Sequence, residues 1–141
     1  MKKILFIIFF SYIFISFSDK FLDLGNQEFE NKNYKEAIKY YKQSKTDEGN
    51  FMTGVSMFEY GSKGYSKKYF EKLLQRVGLP AQLSEAVIDW QDADDEPSGA
   101  MGAESSYYQG LPIPYLPPNS LFHSAEELKQ VRGFEGAKYQ Q

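Results

Sequence analysis

Two apolar stripes at helical spacing, separated by a glycine and a proline, constrain the fold of this chain more than any other feature. The stripes are Phe70, Leu73, Leu74 and Val77, then Leu83, Ala86, Val87 and Trp90. Apolar residues at positions i, i+3, i+4 and i+7 share one face of an α-helix. Ser66 suits a helix start, Gly78 a helix end and Pro80 the first turn of the next helix. The pattern therefore predicts two helices packed through their apolar faces.

An earlier pair of helices is predicted over residues 19–48. Tyr34, Ala37, Ile38 and Tyr41 repeat at helical spacing after a polar break at Asn31, Lys32 and Asn33. With Leu24, Gly25 and Asn26, these residues resemble a single tetratricopeptide repeat, in which small side chains let two helices approach closely. One such unit cannot bury its apolar face alone, and no second copy is recognised further along. An ordinary helical hairpin therefore stands as an equal alternative.

Residues 49–65 interrupt these patterns. They contain Gly49, Gly54, Gly61 and Gly64, and glycine is the residue most permissive of irregular backbone. We predict a flexible linker here, with at most a short helix.

The N-terminus has the layout of an export signal. Lys2 and Lys3 precede an almost unbroken apolar run from Ile4 to Phe17, and Ser16 and Ser18 are small residues before a possible cut at Asp19. This three-part order predicts a secretory signal peptide over residues 1–18, with a retained membrane anchor as the alternative. The expected location is the periplasm, or the inner membrane facing the periplasm.

Composition restricts the chemistry. The chain has no cysteine and a single histidine, His123, so a disulfide or a thiolate metal site is excluded. The net charge of −3 gives no reason to expect nucleic-acid binding. Gly133 and Gly136 after a capped helix resemble a helix-hairpin-helix element, but the acidic surroundings disfavour phosphate contacts. No nucleophile–base constellation is apparent, so we predict that the chain is not an enzyme.

Residues 97–120 read as a long loop rich in proline and tyrosine, followed by a third helix. Ser124 and Glu127 form a capping box at the start of that helix, and Gly133 marks its end. The loop aromatics argue against disorder, so we expect their rings to pin the loop onto the helices. Aromatic residues also serve well at protein interfaces. The predicted partner-binding residues are Tyr107, Tyr108, Pro114 and Tyr115.

The order of short motifs in this half is distinctive. The motifs are Ala86-Val87-Ile88-Asp89-Trp90-Gln91-Asp92-Ala93-Asp94-Asp95-Glu96-Pro97, Gly102-Ala103-Glu104, Tyr107-Tyr108, Pro114-Tyr115, Glu126-Glu127-Leu128 and Val131-Arg132-Gly133-Phe134. Over about residues 69–140 the chain resembles the type II secretion system protein K family, the minor pseudopilins also called general secretion pathway protein K. The resemblance implies an all-α fold, with a small SAM-like helical domain over 66–141 behind the hairpin and linker.

The same resemblance implies a role and a ligand. Protein K acts in protein secretion without catalysis, at the pseudopilus tip with the I and J pseudopilins, and the family is reported to bind calcium. The expected Ca²⁺ ligands are Asp92, Asp94, Asp95 and Glu104, because calcium prefers clustered oxygen ligands. A solvated acidic face is the alternative for these residues. For the whole chain, the alternative function is an exported tetratricopeptide-type adaptor that binds proteins through the Tyr34–Tyr41 face.

Overall fold

The computed structural model describes residues 19–135, and the regular elements of that part are all helical. In chain order they are α1 (Lys20–Glu30), α2 (Tyr34–Ser44), α3 (Asp47–Tyr60), α4 (Lys63–Arg76), α5 (Leu83–Gln91), the short α6 (Ser105–Gln109) and a 3₁₀ helix (Ala125–Gln130). No strand occurs between residues 19 and 135, which confirms the all-α prediction. The predicted signal peptide, residues 1–18, lies outside the described residues. None of the described helices is both long enough and apolar enough to cross a membrane.

Helices α1 and α2 form the predicted hairpin. Asp19 caps α1 by accepting a hydrogen bond from the Phe21 backbone N–H at 3.0 Å, and Lys32 makes the turn with a positive φ of 61°. Gly25 lies directly against the buried ring of Tyr41, and a Cβ atom on it would approach the ring to 2.5 Å. The glycine therefore allows the close helix contact that the sequence suggested.

The prediction of a flexible linker over 49–65 is wrong. Most of that range belongs to α3, a helix of 14 residues capped by the Thr46 side chain, which accepts a hydrogen bond from the Gly49 N–H at 3.0 Å. Phe51, Met52 and Val55 of this helix are buried. The glycines that suggested flexibility serve close packing instead, because Gly54 lies against the ring of Phe70.

Helices α3 and α4 form a second hairpin built like the first. Gly54 and Phe70 lie 29 positions after Gly25 and Tyr41, and a Cβ atom on Gly54 would lie 2.6 Å from the Phe70 ring. The same offset relates the starts of α2 and α4, at Tyr34 and Lys63. The sequence pattern indicated no second copy of the first hairpin, but the structure contains a second hairpin with the same glycine–aromatic contact.

The start of α4 also differs from the sequence prediction. Ser62 caps it, by accepting a hydrogen bond from the Tyr65 N–H at 3.1 Å. Ser66 lies inside the helix, where its hydroxyl donates a 2.7 Å hydrogen bond to the carbonyl of Gly54 on α3. The predicted end is confirmed, since Gly78 adopts a φ of 77° and the Leu79 N–H donates back to the Leu74 carbonyl at 2.9 Å.

The predicted third helix is a single 3₁₀ helix without the expected capping box. Ser124 makes no side-chain cap, and the Glu127 carboxylate accepts a hydrogen bond from the His123 N–H at 2.8 Å. Its first N–H, that of Ala125, donates to the carboxylate of Glu48 on α3 at 3.0 Å. The carboxylate of Glu48, which is distant in the sequence, therefore caps this helix in place of a local side chain.

One hydrophobic core joins both hairpins to α5 and the loop. The ring of Phe51 on α3 lies 5.5 Å from that of Phe70 on α4 and 5.0 Å from that of Phe122. Both partners are almost fully buried. The packing therefore continues across residue 65, where the sequence placed the start of a separate domain.

We expect Gly54→Ala to destabilise the protein by about 1–3 kcal/mol, because the added methyl group forces Phe70 out of its packed position. This cost opposes the gain in helix propensity of up to about 1 kcal/mol. Gly64→Ala is the control, since the nearest atom to its Cβ would be 4.0 Å away. Urea unfolding measures both variants. A Gly54→Ala protein as stable as wild type would contradict the close contact.

Candidate cation site and aromatic loop

The buried carboxylate of Asp89, near the end of α5, holds the loop that follows. It accepts hydrogen bonds from the backbone N–H groups of Ser98 at 3.0 Å and Ala103 at 2.9 Å. Gly102 passes so close that a Cβ atom there would lie 2.4 Å from Asp89 Oδ2. The loop backbone therefore packs directly against the Asp89 carboxylate.

Glu85, one turn earlier on α5, repeats this arrangement. Its Oε2 accepts a hydrogen bond from the Met101 N–H at 2.8 Å, and its Oε1 lies 3.7 Å from the Lys67 ammonium nitrogen. Two carboxylates of one helix thus fix residues 98–103 through backbone donors.

Three carboxylates converge at the end of α5. Asp89, Asp92 and Glu104 each place an oxygen within 4.8 Å of the other two, and all three residues are buried. Neither oxygen of Glu104 has a hydrogen-bond partner, although the residue is only 2% exposed. Asp92 forms an ion pair with the Lys63 ammonium group, which also lies 3.6 Å from Asp94.

Burial and mutual repulsion raise the pKa values of this cluster. Burial raises the pKa of Glu104 to about 8, with further increases from the charges of Asp89, Asp92, Asp95 and Asp94. Burial also raises the pKa of Asp92, although the nearby Lys63 ammonium opposes that increase. Ionising the whole cluster is therefore costly without an added cation.

The predicted calcium ligands are only partly brought together. Asp92 and Glu104 meet as expected, and Asp89 joins them in place of Asp94 and Asp95. Asp94 is exposed and accepts a hydrogen bond from the Glu96 N–H at 2.9 Å, and Asp95 accepts one from the Ser105 N–H at 3.1 Å. The buried, unpartnered oxygens of Glu104 fit a hard cation such as calcium, which binds carboxylate and carbonyl oxygens.

An aromatic cluster pins the other half of the loop. The ring of Trp90 lies 5.3 Å from that of Tyr108 and 6.5 Å from that of Tyr115. The Tyr115 hydroxyl donates a 2.6 Å hydrogen bond to the Gln130 carbonyl. These contacts agree with the expectation that the loop aromatics hold it on the helices.

Arg132 connects the aromatic cluster to the acidic turn. Its guanidinium group lies 4.9 Å from the centre of the Tyr107 ring and donates a 2.9 Å hydrogen bond to the Gly102 carbonyl. Its backbone N–H donates to the Tyr108 hydroxyl at 3.2 Å. The motif that contains Arg132 does not show which carbonyl its side chain reaches, so this contact emerges only from the structure.

The predicted partner-binding residues differ in exposure. Tyr108 is fully buried, so it supports the loop from inside and offers no surface to a partner. Tyr107 and Tyr115 are half-buried, and Pro114 is exposed. The loop also projects two aliphatic side chains that the sequence analysis did not single out, Ile113 at 82% and Leu116 at 59% exposure.

A groove of about 520 Å³ lies elsewhere, between α3, α4, α5 and the 3₁₀ helix. Phe51, Leu74 and Val87 line it, with Glu48 and Glu126 among its polar residues. The three clustered carboxylates are not among the lining residues of this groove. The acidic cluster and the apolar groove are thus separate features.

The fold and the site together define an all-helical module in which a buried acidic turn and an aromatic cluster give a long loop a fixed shape. The family described as "Type II secretion system (T2SS), protein K" matches residues 52–141. That range is more than half of the chain, so the chain belongs to the type II secretion system protein K family. The resemblance inferred from the motifs is confirmed.

Individual relatives agree with the family match. Type II secretion system protein K of Aeromonas hydrophila is 36% identical over 90 residues, which cover 61% of this chain and 27% of the relative. The protein of the same name from Pectobacterium carotovorum subsp. carotovorum is 38% identical over 79 residues, covering 53% of this chain and 24% of the relative. The chain thus spans about a quarter of the length of these relatives. No solved structure matches it.

In calcium-free buffer, we expect the stability of the protein to fall as pH rises from 5.5 to 8.5. The folded-state pKa of Glu104, about 8, lies above the ordinary value of 4.5, so the folded state holds its proton across a window in which the unfolded state loses it. Each unit of difference corresponds to about 1.4 kcal/mol. Thermal unfolding by circular dichroism measures the trend.

Glu104→Gln should flatten this pH profile, because the amide cannot ionise. Glu59→Gln, at an exposed position on α3, should leave it unchanged. A Glu104→Gln profile as steep as that of wild type would assign the pH dependence to other groups.

Proposed function

We propose that this chain acts in type II protein secretion as a non-enzymatic contact module, at the pseudopilus tip with I-type and J-type pseudopilins. The observation that carries the proposal is that the family match covers the acidic turn, the aromatic loop and Arg132 in one continuous range, residues 52–141. Other components of the secretion system are the partners that membership of this family implies. The proposed setting is the cell envelope, in the periplasm or on the periplasmic face of the inner membrane.

The proposed contact surface is the outer side of the loop. Tyr107, Pro114 and Tyr115 remain from the sequence prediction. Ile113 and Leu116 extend this surface as the most exposed of the large aliphatic side chains between residues 19 and 135. Pro112, Pro114, Pro117 and Pro118 restrict the backbone here, and Pro117 is buried. A loop that is already ordered loses little conformational entropy on binding, which favours affinity.

We further propose calcium as the ligand of the acidic turn. Asp89, Asp92 and Glu104 would hold the ion, with Asp94 and Asp95 nearby in the same turn. The ion would supply positive charge to a cluster in which burial raises the pKa values of Glu104 and Asp92. It would therefore stabilise the loop conformation that presents the contact surface.

The contact surface predicts a specific loss of binding. Ile113→Ser combined with Leu116→Ser should weaken binding to purified I-type or J-type pseudopilin domains by about tenfold or more, because both exposed side chains lose apolar contact area. Val77→Ser is the control, since Val77 is a similarly exposed aliphatic residue (57%) outside the loop. Surface plasmon resonance measures the affinities, and circular dichroism checks the fold. Equal affinity of the loop variant and wild type would exclude this surface.

Calcium is expected to raise the melting temperature at pH 8 by about 5 °C or more, since a ligand that binds only the folded state stabilises it. Glu104→Gln should remove most of this increase, and magnesium should produce less of it because the smaller ion gives up its bound water reluctantly. Calorimetry and thermal unfolding with calcium chloride provide the measurement. No heat and no shift in wild type would refute the calcium proposal.

A further inference from the structure

Lys63 lies where a positive charge is locally unfavourable. It is the first residue of α4, and the partial positive charge of a helix N-terminus disfavours cations there. Its ammonium group nevertheless reaches across to α5 and forms the ion pair with Asp92. The Lys63 side chain is 44% exposed, whereas that of Asp92 is 5% exposed. The pairing thus brings a solvent-accessible cation against a buried carboxylate.

Lys63 is the one cationic side chain that residues 19–135 bring within 4.0 Å of the clustered carboxylates of Asp89, Asp92 and Glu104. The Asp89 carboxylate accepts hydrogen bonds from backbone N–H groups, which carry no net charge, and Glu104 has no hydrogen-bond donor at all. The cluster therefore contains one internal positive charge and an acidic group still without a partner.

Building on the calcium site proposed above, we propose that Lys63 is an internal cation that competes with calcium for the Asp92 carboxylate. Two positive charges on the same carboxylate repel each other strongly in a partly buried site. Calcium binding would therefore displace the Lys63 ammonium into solvent, which its exposure permits. Loss of this ion pair would release the N-terminus of α4 from α5. Calcium binding at the loop would therefore alter the contact between the second hairpin and α5.

The experiment measures calcium affinity in wild type, Lys63→Gln and Lys68→Gln, by calorimetry and by the fluorescence of Trp90, which is the single tryptophan of the chain. Lys68 is exposed on the same helix, so its variant matches the change in net charge without touching the cluster. Without calcium, Lys63→Gln should melt at a lower temperature than Lys68→Gln, because Asp92 loses its counter-ion.

Lys63→Gln should bind calcium at least about tenfold more tightly than wild type, and Lys68→Gln within about twofold of wild type. Unchanged or weaker affinity of the Lys63→Gln protein would overturn the competition. The same increase in both variants would also overturn it, because a general charge effect would then explain the result.

The two proposals fail in distinguishable ways. Binding by Lys63→Gln but not by wild type would refute calcium as a ligand of the natural protein and would support Lys63 as the resident cation. Binding by wild type with no effect of Lys63→Gln would leave the calcium site standing and refute the role of Lys63. No binding by either protein would refute both.

Discussion

The conformation of the loop after α5 depends on the Asp89 carboxylate, which is buried away from solvent. Asp89 is fully buried, and it is tolerable there because backbone N–H groups of Ser98 and Ala103 solvate it in place of solvent. The same hydrogen bonds oblige the chain to turn back over α5 within a few residues. Glu104 consequently reaches the cluster, and Tyr108 comes to lie against Trp90. The same course of the loop backbone thus provides hydrogen bonds to the buried Asp89 carboxylate and packs Tyr108 against Trp90.

The sequence predicts those parts of the molecule that depend on local pattern. Helical spacing of apolar residues located α2, α4 and α5, and the positive-φ helix end at Gly78 followed from its lack of a side chain. The order of motifs from Ala86 onward identified the family that the match to residues 52–141 confirms. Two of the three clustered carboxylates, Asp92 and Glu104, followed from that family resemblance.

The remaining parts depend on contacts between distant residues. Helix α3 was mistaken for a linker because Gly54 reads as a helix breaker until Phe70 is known to pack against it. Gly25 and Tyr41 of the first hairpin correspond to Gly54 and Phe70 of the second at an offset of 29 residues. The second hairpin was not recognised because α3 is buried on several faces and therefore lacks a periodic apolar stripe. Lys63 was missed as a site residue because only the crossing of α4 and α5 brings it to Asp92. Asp89 lies three residues before Asp92 at the end of the same helix, but the return of the loop is needed to bring Glu104 to it.

Helix α3 contacts both its hairpin partner α4 and the distant 3₁₀ helix. It is the first arm of the second hairpin, and its Glu48 caps the start of the distant 3₁₀ helix by accepting a hydrogen bond from the Ala125 N–H. The region shared with the family begins at residue 52, inside this helix of 14 residues. The start of the family match and the boundary of the packed core therefore do not coincide, because the core also contains Phe29, Ala37 and Tyr41 of the front hairpin. The front hairpin is accordingly part of the same packed body as the secretion-type region, and not an attachment to it.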